Sequence, residues 1–141
     1  MSFNFIETNI NDHIGLIELN RPDRLNSLNR KMVSEIMDAL LAFECEKEVR
    51  VIVITGRGRA FSAGADIEEM MEDDPISLEL LNQFSDWDRI ATVKKPIIGA
   101  VKGFVFGGGF ELALACDLLI AATGTEFSFP EVGLGVMPGA G

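Results

Sequence analysis

Two short runs of β-branched residues, each followed by glycines and then by a helical pattern, constrain the fold of this chain more than any other feature. Residues 49–55 read VRVIVIT and residues 96–101 read PIIGAV, and such runs are typical of strands buried on both faces of a sheet. Strands that alternate with helices are joined by right-handed crossovers and lie parallel. The sequence therefore predicts an α/β domain with a parallel sheet and flanking helices.

Helical spacing and turn residues predict the remaining elements. Alternating apolar residues on either side of Asn11-Asp12-His13 predict a β-hairpin at the amino end, with His13 on the surface. Asn29 or Ser27 can cap the helix that follows. The further predicted elements are helices over 29–47, 67–72 and 110–116, a strand over 118–122, and a helix over 77–93 with an apolar face of Leu78, Leu81, Phe84, Trp87 and Ile90.

Length and charge limit the functions open to the chain. Its 141 residues suit a single domain over residues 1–141, and 12 Lys and Arg against 22 Asp and Glu give a net charge of −10. Nucleic-acid binding is not expected, because it needs clustered basic residues. The longest apolar stretch, residues 112–122, is interrupted by Asp117 and is too short for a membrane span, and the first residues do not resemble a secretory signal.

The cysteines and the lone histidine give no sign of a metal or a disulfide. Cys45 and Cys116 lie far apart, and no His/Cys cluster has the spacing of metal ligands. We therefore expect a soluble, cytoplasmic domain with two free thiols and no metal.

The first candidate site is the segment FSAGADIEEM, residues 61–70, which follows a predicted strand and opens a helix. Small residues at 63–65 let the backbone approach a ligand. The N–H of Ala65 precedes the helix, where unpaired amides can hold an anion or a developing oxyanion. Asp66 and Glu69 have the spacing of a capping pair. An ordinary capped turn would give the same pattern.

Two further segments each place a glutamate beside unusual backbone. Gly107-Gly108-Gly109 allows a thioester-sized group to touch the main chain and leads into a helix with Glu111 in its first turn, followed by residues 112–115, which we expect to be buried. The glycine spacing is not that of a nucleotide-binding loop. Glu131 has an apolar setting that suits a general acid, among Phe129, Pro130, Val132 and Leu134.

Each glutamate also has an ordinary interpretation. The glycines could form a packing turn, and Glu111 and Glu131 could be solvated. Together, however, two backbone donors and two carboxylates are what the stabilisation of an enolate requires, since charge develops on an oxygen while protons move at neighbouring carbons.

At these residues the chain resembles the enoyl-CoA hydratase/isomerase (crotonase) superfamily. The matching runs are Asn20-Arg21-Pro22, Leu25-Asn26-Ser27-Leu28, residues 62–70, residues 107–112, Pro130-Glu131-Val132, Gly133-Leu134-Gly135 and residues 138–141. The resemblance implies the amino-terminal part of a crotonase-like α/β fold of repeated ββα units. Family chains continue into further helices, so the resemblance, together with the Gly/Pro-rich end of the sequence, also implies a truncated chain.

The resemblance implies a hydro-lyase that hydrates 2-enoyl-CoA thioesters to 3-hydroxyacyl-CoA. The backbone N–H groups of Ala65 and Gly108 would form an oxyanion hole. Glu111 would help to activate water for attack at C3, and Glu131 would supply the proton to C2. The implied substrate-binding residues are Leu25, Ala63, Gly64, Asp66, Ile67 and Glu68.

The resemblance also implies which cofactor and partners the protein has and how it assembles. Coenzyme A would enter only as part of the acyl-CoA substrate, without a further cofactor. The full-length protein would be a homo-oligomer, either a trimer or a dimer of trimers, and would bind neither nucleic acid nor membrane.

Two other functions fit the same residues. A Δ3-Δ2 enoyl-CoA isomerase would move a proton between carbons without adding water, and a catalytically inactive fragment would only bind acyl-CoA. Two residues depart from the family pattern: Ser128 stands where glycine is common, and Phe110 is bulkier than its usual counterpart. Both would narrow the acyl pocket.

Overall fold

The computed structural model of the protein describes residues 2–74, 76, 85–135 and 137–138. In chain order its elements are β1 (Ile6–Asn11), β2 (Ile14–Leu19), a 3₁₀ helix (Pro22–Arg24), α1 (Arg30–Cys45), β3 (Val51–Gly56), α2 (Ile67–Met70), α3 (Ser85–Ile90), β4 (Ile97–Val101), β5 (Phe104–Phe106), α4 (Gly108–Leu114), β6 (Leu118–Ala121), β7 (Glu126–Ser128) and a second 3₁₀ helix (Pro130–Leu134).

A five-stranded sheet in the order β1-β2-β3-β4-β6 forms the centre of the fold. The first two strands form the predicted hairpin, and the other neighbours pair in parallel, which confirms the predicted α/β class. Asp12 and His13 both have positive φ, 46° and 68°, as the tight turn of a twisted hairpin requires. His13 is exposed, as predicted.

Helix α1 covers one face of the sheet and supplies much of the core. Its buried residues include Met32, Ile36 and Leu40, which belong to one apolar cluster with Ile17 and Ile52 of the sheet. The Asn29 side chain accepts a hydrogen bond from the Met32 N–H at 2.8 Å, so Asn29 is the predicted N-cap.

The prediction that strand 49–55 is buried on both faces was wrong. In β3 the residues that face α1 are buried, but the alternate residues Val51, Val53 and Thr55 are partly exposed. Side chains of a strand alternate between the two faces of the sheet, and α1 covers only one of them. In the part of the chain that the structure describes, the apolar run therefore indicates a strand, but it does not indicate that both faces of the strand are buried.

The carboxyl half of the chain is less buried than the sequence indicates. Leu112 and Ala113 of α4 are buried, but Leu114 is exposed, which corrects that part of the prediction for residues 112–115. Strand β6 is present as predicted, and all of its residues are exposed. Trp87 and Ile90 of α3 are buried, as the helical spacing predicted, whereas Leu78, Leu81 and Phe84 lie outside the described residues.

A second layer of four parallel segments lies beside the main sheet, and we call it the site strip. It consists of residues 25–28, residues 62–66, β5 and β7. The bridges Leu28–Ala65 and Ser62–Val105 and the pairing of β5 with β7 join it. Each segment leads into a helix: α1, α2, α4 and the second 3₁₀ helix in turn. Four helix starts therefore meet at one edge of the strip.

Replacing Asn26 by alanine is expected to destabilise the protein strongly. Asn26 is fully buried; its side chain accepts a hydrogen bond from the Arg21 N–H and donates to the carbonyls of Arg57 and Ala60 at 2.8–2.9 Å. The substitution leaves one buried and two partly buried backbone groups without this partner and should lower the free energy of unfolding by about 3 kcal/mol. Urea denaturation measures this value. Asn20→Ala, which removes an exposed hydrogen bond to Glu7, is the control, and equal losses in both variants would contradict the prediction.

The two cysteines are expected to differ in reactivity. Cys45 is exposed, whereas burial and the neighbouring Asp117 carboxylate raise the pKa of the Cys116 thiol to about 12. Because the thiolate is the reactive form, only about one Cys116 in 10⁴ is ionised at pH 8. Titration with a chromogenic disulfide should give one fast thiol, absent in Cys45→Ser, and a second only in denaturant. Two fast thiols in the folded protein would contradict this assignment.

Candidate active site

The direction of the Ala65 N–H follows from the way residue 28 pairs with its neighbours. The Leu28 N–H donates to the Gly64 carbonyl at 2.7 Å, and the Asp66 N–H donates to the Leu28 carbonyl at 2.9 Å. In a trans peptide the C=O and the following N–H point in opposite directions. The Ala65 N–H therefore points away from Leu28, toward the side where β5 and α4 lie.

Residues 62–64 and β5 start as paired neighbours and then separate. The Ser62 N–H donates to the Phe104 carbonyl, and the Phe106 N–H donates to the Ser62 carbonyl. Gly64 has φ of +107°, and a Cβ built there would lie 3.1 Å from the Phe106 carbonyl oxygen and 3.7 Å from the Gly107 Cα. Only glycine fits this close approach, and it places Ala65 beside the start of α4.

A second unpaired donor lies at the start of α4. The Gly107 carbonyl accepts the N–H of Glu111 at 3.0 Å, so the N–H of Gly108 in the same peptide points out of the helix. Neither this N–H nor that of Ala65 donates to another described residue. Two backbone donors thus lie on adjacent segments, an arrangement that can bind an anionic oxygen.

The carboxylate of Glu131 packs directly on Gly107. A Cβ built on Gly107 would overlap Oε1 of Glu131 and lie 3.2 Å from its carboxyl carbon. Oε2 of Glu131 is buried and has no hydrogen-bond partner among the described residues. The solvated-glutamate interpretation is therefore wrong for this carboxylate. The apolar setting is also not the one expected, because the nearby Val132 and Leu134 are exposed.

Glu111 lies at the same helix start and is 8% exposed. It belongs to the first turn of α4, as predicted, and its N–H donates to the Gly107 carbonyl. Helical side chains lean toward the N-terminus of their helix, which is the end where Glu131 packs. The fold thus brings the backbone N–H of Glu111 and the carboxylate of Glu131 to Gly107, which neither the sequence spacing nor the helix pattern could establish.

The other candidate residues lie on the neighbouring segments of the site strip and in α2, and each makes different contacts. Leu25 has a left-handed backbone, and its carbonyl accepts the N–H of Ala63 at 2.9 Å. Ile67 is exposed, and Glu68 forms an exposed ion pair with Arg24. The side chain of Asp66 is 13% exposed, and its Oδ2 is paired with Arg21.

The predicted capping pair of Asp66 and Glu69 was wrong. Asp66 occupies the N-cap position of α2, but its side chain makes no capping hydrogen bond. Its carboxylate accepts from Arg21, while Glu69 accepts the N–H of Arg30 at 2.9 Å, at the start of α1. Contacts between distant segments have replaced the local ones that the spacing predicts.

Three aromatic rings form a wall beside α4. The Phe110 ring stacks on Phe129, with centroids 4.6 Å apart, and contacts Phe127 at 5.2 Å. Phe110 was predicted to narrow an acyl pocket, and this contact fixes its ring next to the segment that carries Glu131.

Sequence reasoning assigned no role to two residues that organise the site, Arg21 and Asn26. Both belong to runs that match the family pattern. Their contacts reach across the chain, from Arg21 to Asp66 and from Asn26 to Arg57 and Ala60, and no local pattern reveals such pairs.

Metal-binding and membrane-spanning features were searched within the same described ranges. No group of three or more His, Cys, Asp or Glu side chains there is placed to hold a metal ion. None of the helices in these ranges has the length and apolar character needed to cross a bilayer.

The fold and the site together define a class: an α/β protein whose site combines backbone donors at helix starts with two glutamates. The chain belongs to the enoyl-CoA hydratase/isomerase family, whose sequence profile matches residues 9–141. The fold is accordingly the crotonase-like fold that the sequence resemblance implied, here with an antiparallel edge strand.

Named relatives agree with this membership. The chain is 43% identical over 141 residues to a probable enoyl-CoA hydratase of Rhizobium meliloti, and covers 100% of itself and 55% of that protein. It is 45% identical over 134 residues to the mitochondrial enoyl-CoA hydratase of Pongo abelii, covering 93% of this chain and 45% of the relative. The chain thus spans about half the length of the curated relatives it matches.

A solved structure gives the same result in three dimensions. The crystal structure of "Enoyl-CoA Hydrates Subunit I" from Geobacillus kaustophilus HTA426 superposes with a TM-score of 0.94 at 62% sequence identity. The superposition covers 99% of this chain and 54% of that one.

Proposed function

We propose that this chain supplies the catalytic residues of an enzyme that hydrates 2-enoyl-CoA thioesters to 3-hydroxyacyl-CoA. Coenzyme A enters as part of the substrate, and no other cofactor takes part. Family membership supports the reaction class, and the meeting of two unpaired N–H donors with two glutamates at Gly107 supports the residue roles.

In the proposed reaction the thioester carbonyl oxygen lies between the N–H groups of Ala65 and Gly108. Glu111 accepts a proton from water as the water oxygen bonds to C3. The π pair of the C2–C3 bond forms a C1–C2 double bond as the π pair of the thioester carbonyl moves to its oxygen, and the two N–H groups stabilise the resulting enolate. Glu131 delivers a proton to C2, and the proton on Glu111 then passes to Glu131, directly or by exchange through solvent, which restores both carboxyls.

One observation carries this proposal: the buried, unpartnered Oε2 of Glu131 against the start of α4. Leaving a buried carboxyl oxygen without a hydrogen bond costs on the order of 1–3 kcal/mol. Such a group needs an explanation, and a reacting ligand that exchanges a proton with it provides one. Leu25, Ala63, Gly64, Ile67 and Glu68 remain the proposed lining of the acyl and pantetheine path, with Asp66 contributing through its backbone.

The test is crotonyl-CoA hydration, followed by loss of the conjugated thioester absorbance and by identification of the product. It is run on the 141-residue chain and on a chimera in which this chain replaces the matching part of the Geobacillus kaustophilus protein. We expect hydration by the chimera at least. A folded chimera that binds crotonyl-CoA without turnover would identify a passive binder and overturn the proposal.

A parallel assay with a 3-enoyl-CoA separates the second enzymatic possibility. Formation of the conjugated 2-enoyl product, without hydration of crotonyl-CoA, would assign the chain to the isomerase activity and contradict the hydratase proposal.

The proposal includes assembly of the full-length protein into a trimer or a dimer of trimers. Exposed apolar residues on β6 and the second 3₁₀ helix support a covered surface there: Leu118, Ile120, Val132 and Leu134. Sedimentation equilibrium of the chimera measures the assembly, and a monomer would contradict this part.

A further inference from the structure

We propose that Arg21 is a positioning residue that orients and polarises the Ala65 N–H through two intervening peptide groups. The inference rests on the proposed function, because it assigns a purpose to the Ala65 donor. It concerns a residue outside the catalytic pair, with its guanidinium at the head of a continuous chain of hydrogen bonds.

The chain of hydrogen bonds can be followed atom by atom. Nη1 of Arg21 donates to the Ser27 carbonyl at 2.7 Å. The same peptide carries the Leu28 N–H, which donates to the Gly64 carbonyl at 2.7 Å. That second peptide carries the Ala65 N–H. Because each peptide is planar and trans, a donor bound at its carbonyl side fixes the direction in which its N–H points.

The cation at the head of this chain should also strengthen the donor at its end. Hydrogen bonds in series polarise one another, and a charged donor strengthens the first of them. Both distances are shorter than the usual 2.9–3.0 Å for N–H···O bonds, as expected for a polarised series. The developing negative charge on the thioester oxygen would then interact with a donor backed by a positive charge.

Arg21 is itself held in place on three sides. Nη2 donates to Oδ2 of Asp66 at 2.9 Å, its guanidinium lies 5.3 Å from the centre of the Phe5 ring, and its N–H donates to the buried Asn26 side chain. The side chains of Arg21 and Asp66 are only 15% and 13% exposed, so solvent screens this pair weakly. Asp66 directly follows Ala65, and its pairing with Arg21 replaces the capping bond it would otherwise make to α2.

A nearby ion pair offers a matched comparison. Arg24 and Glu68 join the same two segments of the chain, but their side chains are 56% and 71% exposed, and the guanidinium of Arg24 donates to no described backbone carbonyl. Exposed pairs of this kind contribute little. Arg21 and Arg24 therefore join the same segments, and Arg21 differs from Arg24 in its burial and in its hydrogen bond to the Ser27 carbonyl.

The first experiment compares Arg21→Met, Arg21→Lys and the control Arg24→Met in the chimera. We expect Arg21→Met to lower kcat on the order of 10-fold or more, less than the roughly 10²–10³-fold loss for removing an oxyanion donor, with KM changed less than about twofold. Arg21→Lys keeps a charge that can reach Ser27 or Asp66 but not both, and should recover part of kcat. Arg24→Met should match the unsubstituted protein.

The second experiment needs no turnover. Acetoacetyl-CoA ionises to an enolate with its own absorbance band, so a pH titration of the bound thioester reports how strongly the site stabilises an enolate oxygen. Arg21→Met should move this ionisation to higher pH, while the stoichiometry of binding stays unchanged. A merely structural role would reduce the bound fraction without moving the titration.

The outcomes separate the two proposals. Hydration that depends on Glu131 but is unaffected in Arg21→Met, with an unmoved acetoacetyl-CoA titration, overturns the role of Arg21 alone. If crotonyl-CoA is not hydrated, the proposed function fails, and the acetoacetyl-CoA titration still decides whether Arg21 acts on the donor. Failure to bind either thioester overturns both.

Discussion

Replacing Glu131 by glutamine is expected to lower kcat for crotonyl-CoA hydration by about 10²–10⁴-fold, the contribution of a positioned acid or base. Glutamine keeps the shape of the side chain, so it can still pack on Gly107, but it cannot deliver a proton to C2. KM should stay within about threefold, since the proposed role of this carboxyl is proton delivery and not the binding of coenzyme A.

The control for this variant is Glu126→Gln. Glu126 is an exposed glutamate on β7, the strand that leads toward Glu131. It should retain full activity. If Glu131→Gln keeps most of its turnover while unfolding at the same urea concentration as the unsubstituted protein, the proton-donor role is wrong.

The second large effect is expected from Gly108→Pro, which removes one N–H without removing a side chain. Proline is well tolerated at the first position of a helix, and Gly108 is the first residue of α4. Loss of one oxyanion donor typically costs about 10²–10³ in kcat. The ionisation of bound acetoacetyl-CoA should also move to higher pH, because the site stabilises the enolate less.

Gly108→Ala is the matched control because it keeps the N–H. Circular dichroism of both variants checks that α4 still forms. Equal activities in the proline and alanine variants, with both folded, would remove Gly108 from the site and leave Ala65 as the only proposed donor.

The sequence predicted elements whose cause is local. Asn29 caps α1 because a side-chain oxygen three residues from Met32 can reach its N–H, and the hairpin forms around two residues that accept positive φ. Strand β7 was not predicted, since three residues of Glu-Phe-Ser carry little pattern, and only pairing with β5 makes them a strand. Leu114 was expected to be buried because helical spacing does not say whether a partner surface is present.

The candidate site was predicted in its components but not in its organisation. The helix starts after Ala65 and at Gly108 follow from small residues before helical patterns. The contact between Glu131 and Gly107, and the link from Arg21 to Asp66, join residues that are far apart in the chain, so only the folded structure could bring them together. Resemblance to the family predicted Glu111 and Glu131 as a catalytic pair. Spacing alone could not decide whether each glutamate is catalytic or solvated.

The order of strands in the main sheet has a consequence for synthesis on the ribosome. The strands β1, β2, β3, β4 and β6 join the sheet in the order in which they are translated, so each emerging strand meets an edge that is already formed. The site strip forms only when segments between Leu28 and Ser128 are all present. Pairing between segments so far apart in the chain has a large loop-closure entropy cost and therefore occurs late in folding. In a nascent chain the main sheet would therefore form long before the site could bind a thioester. Mispairing within the site strip would leave the main sheet folded.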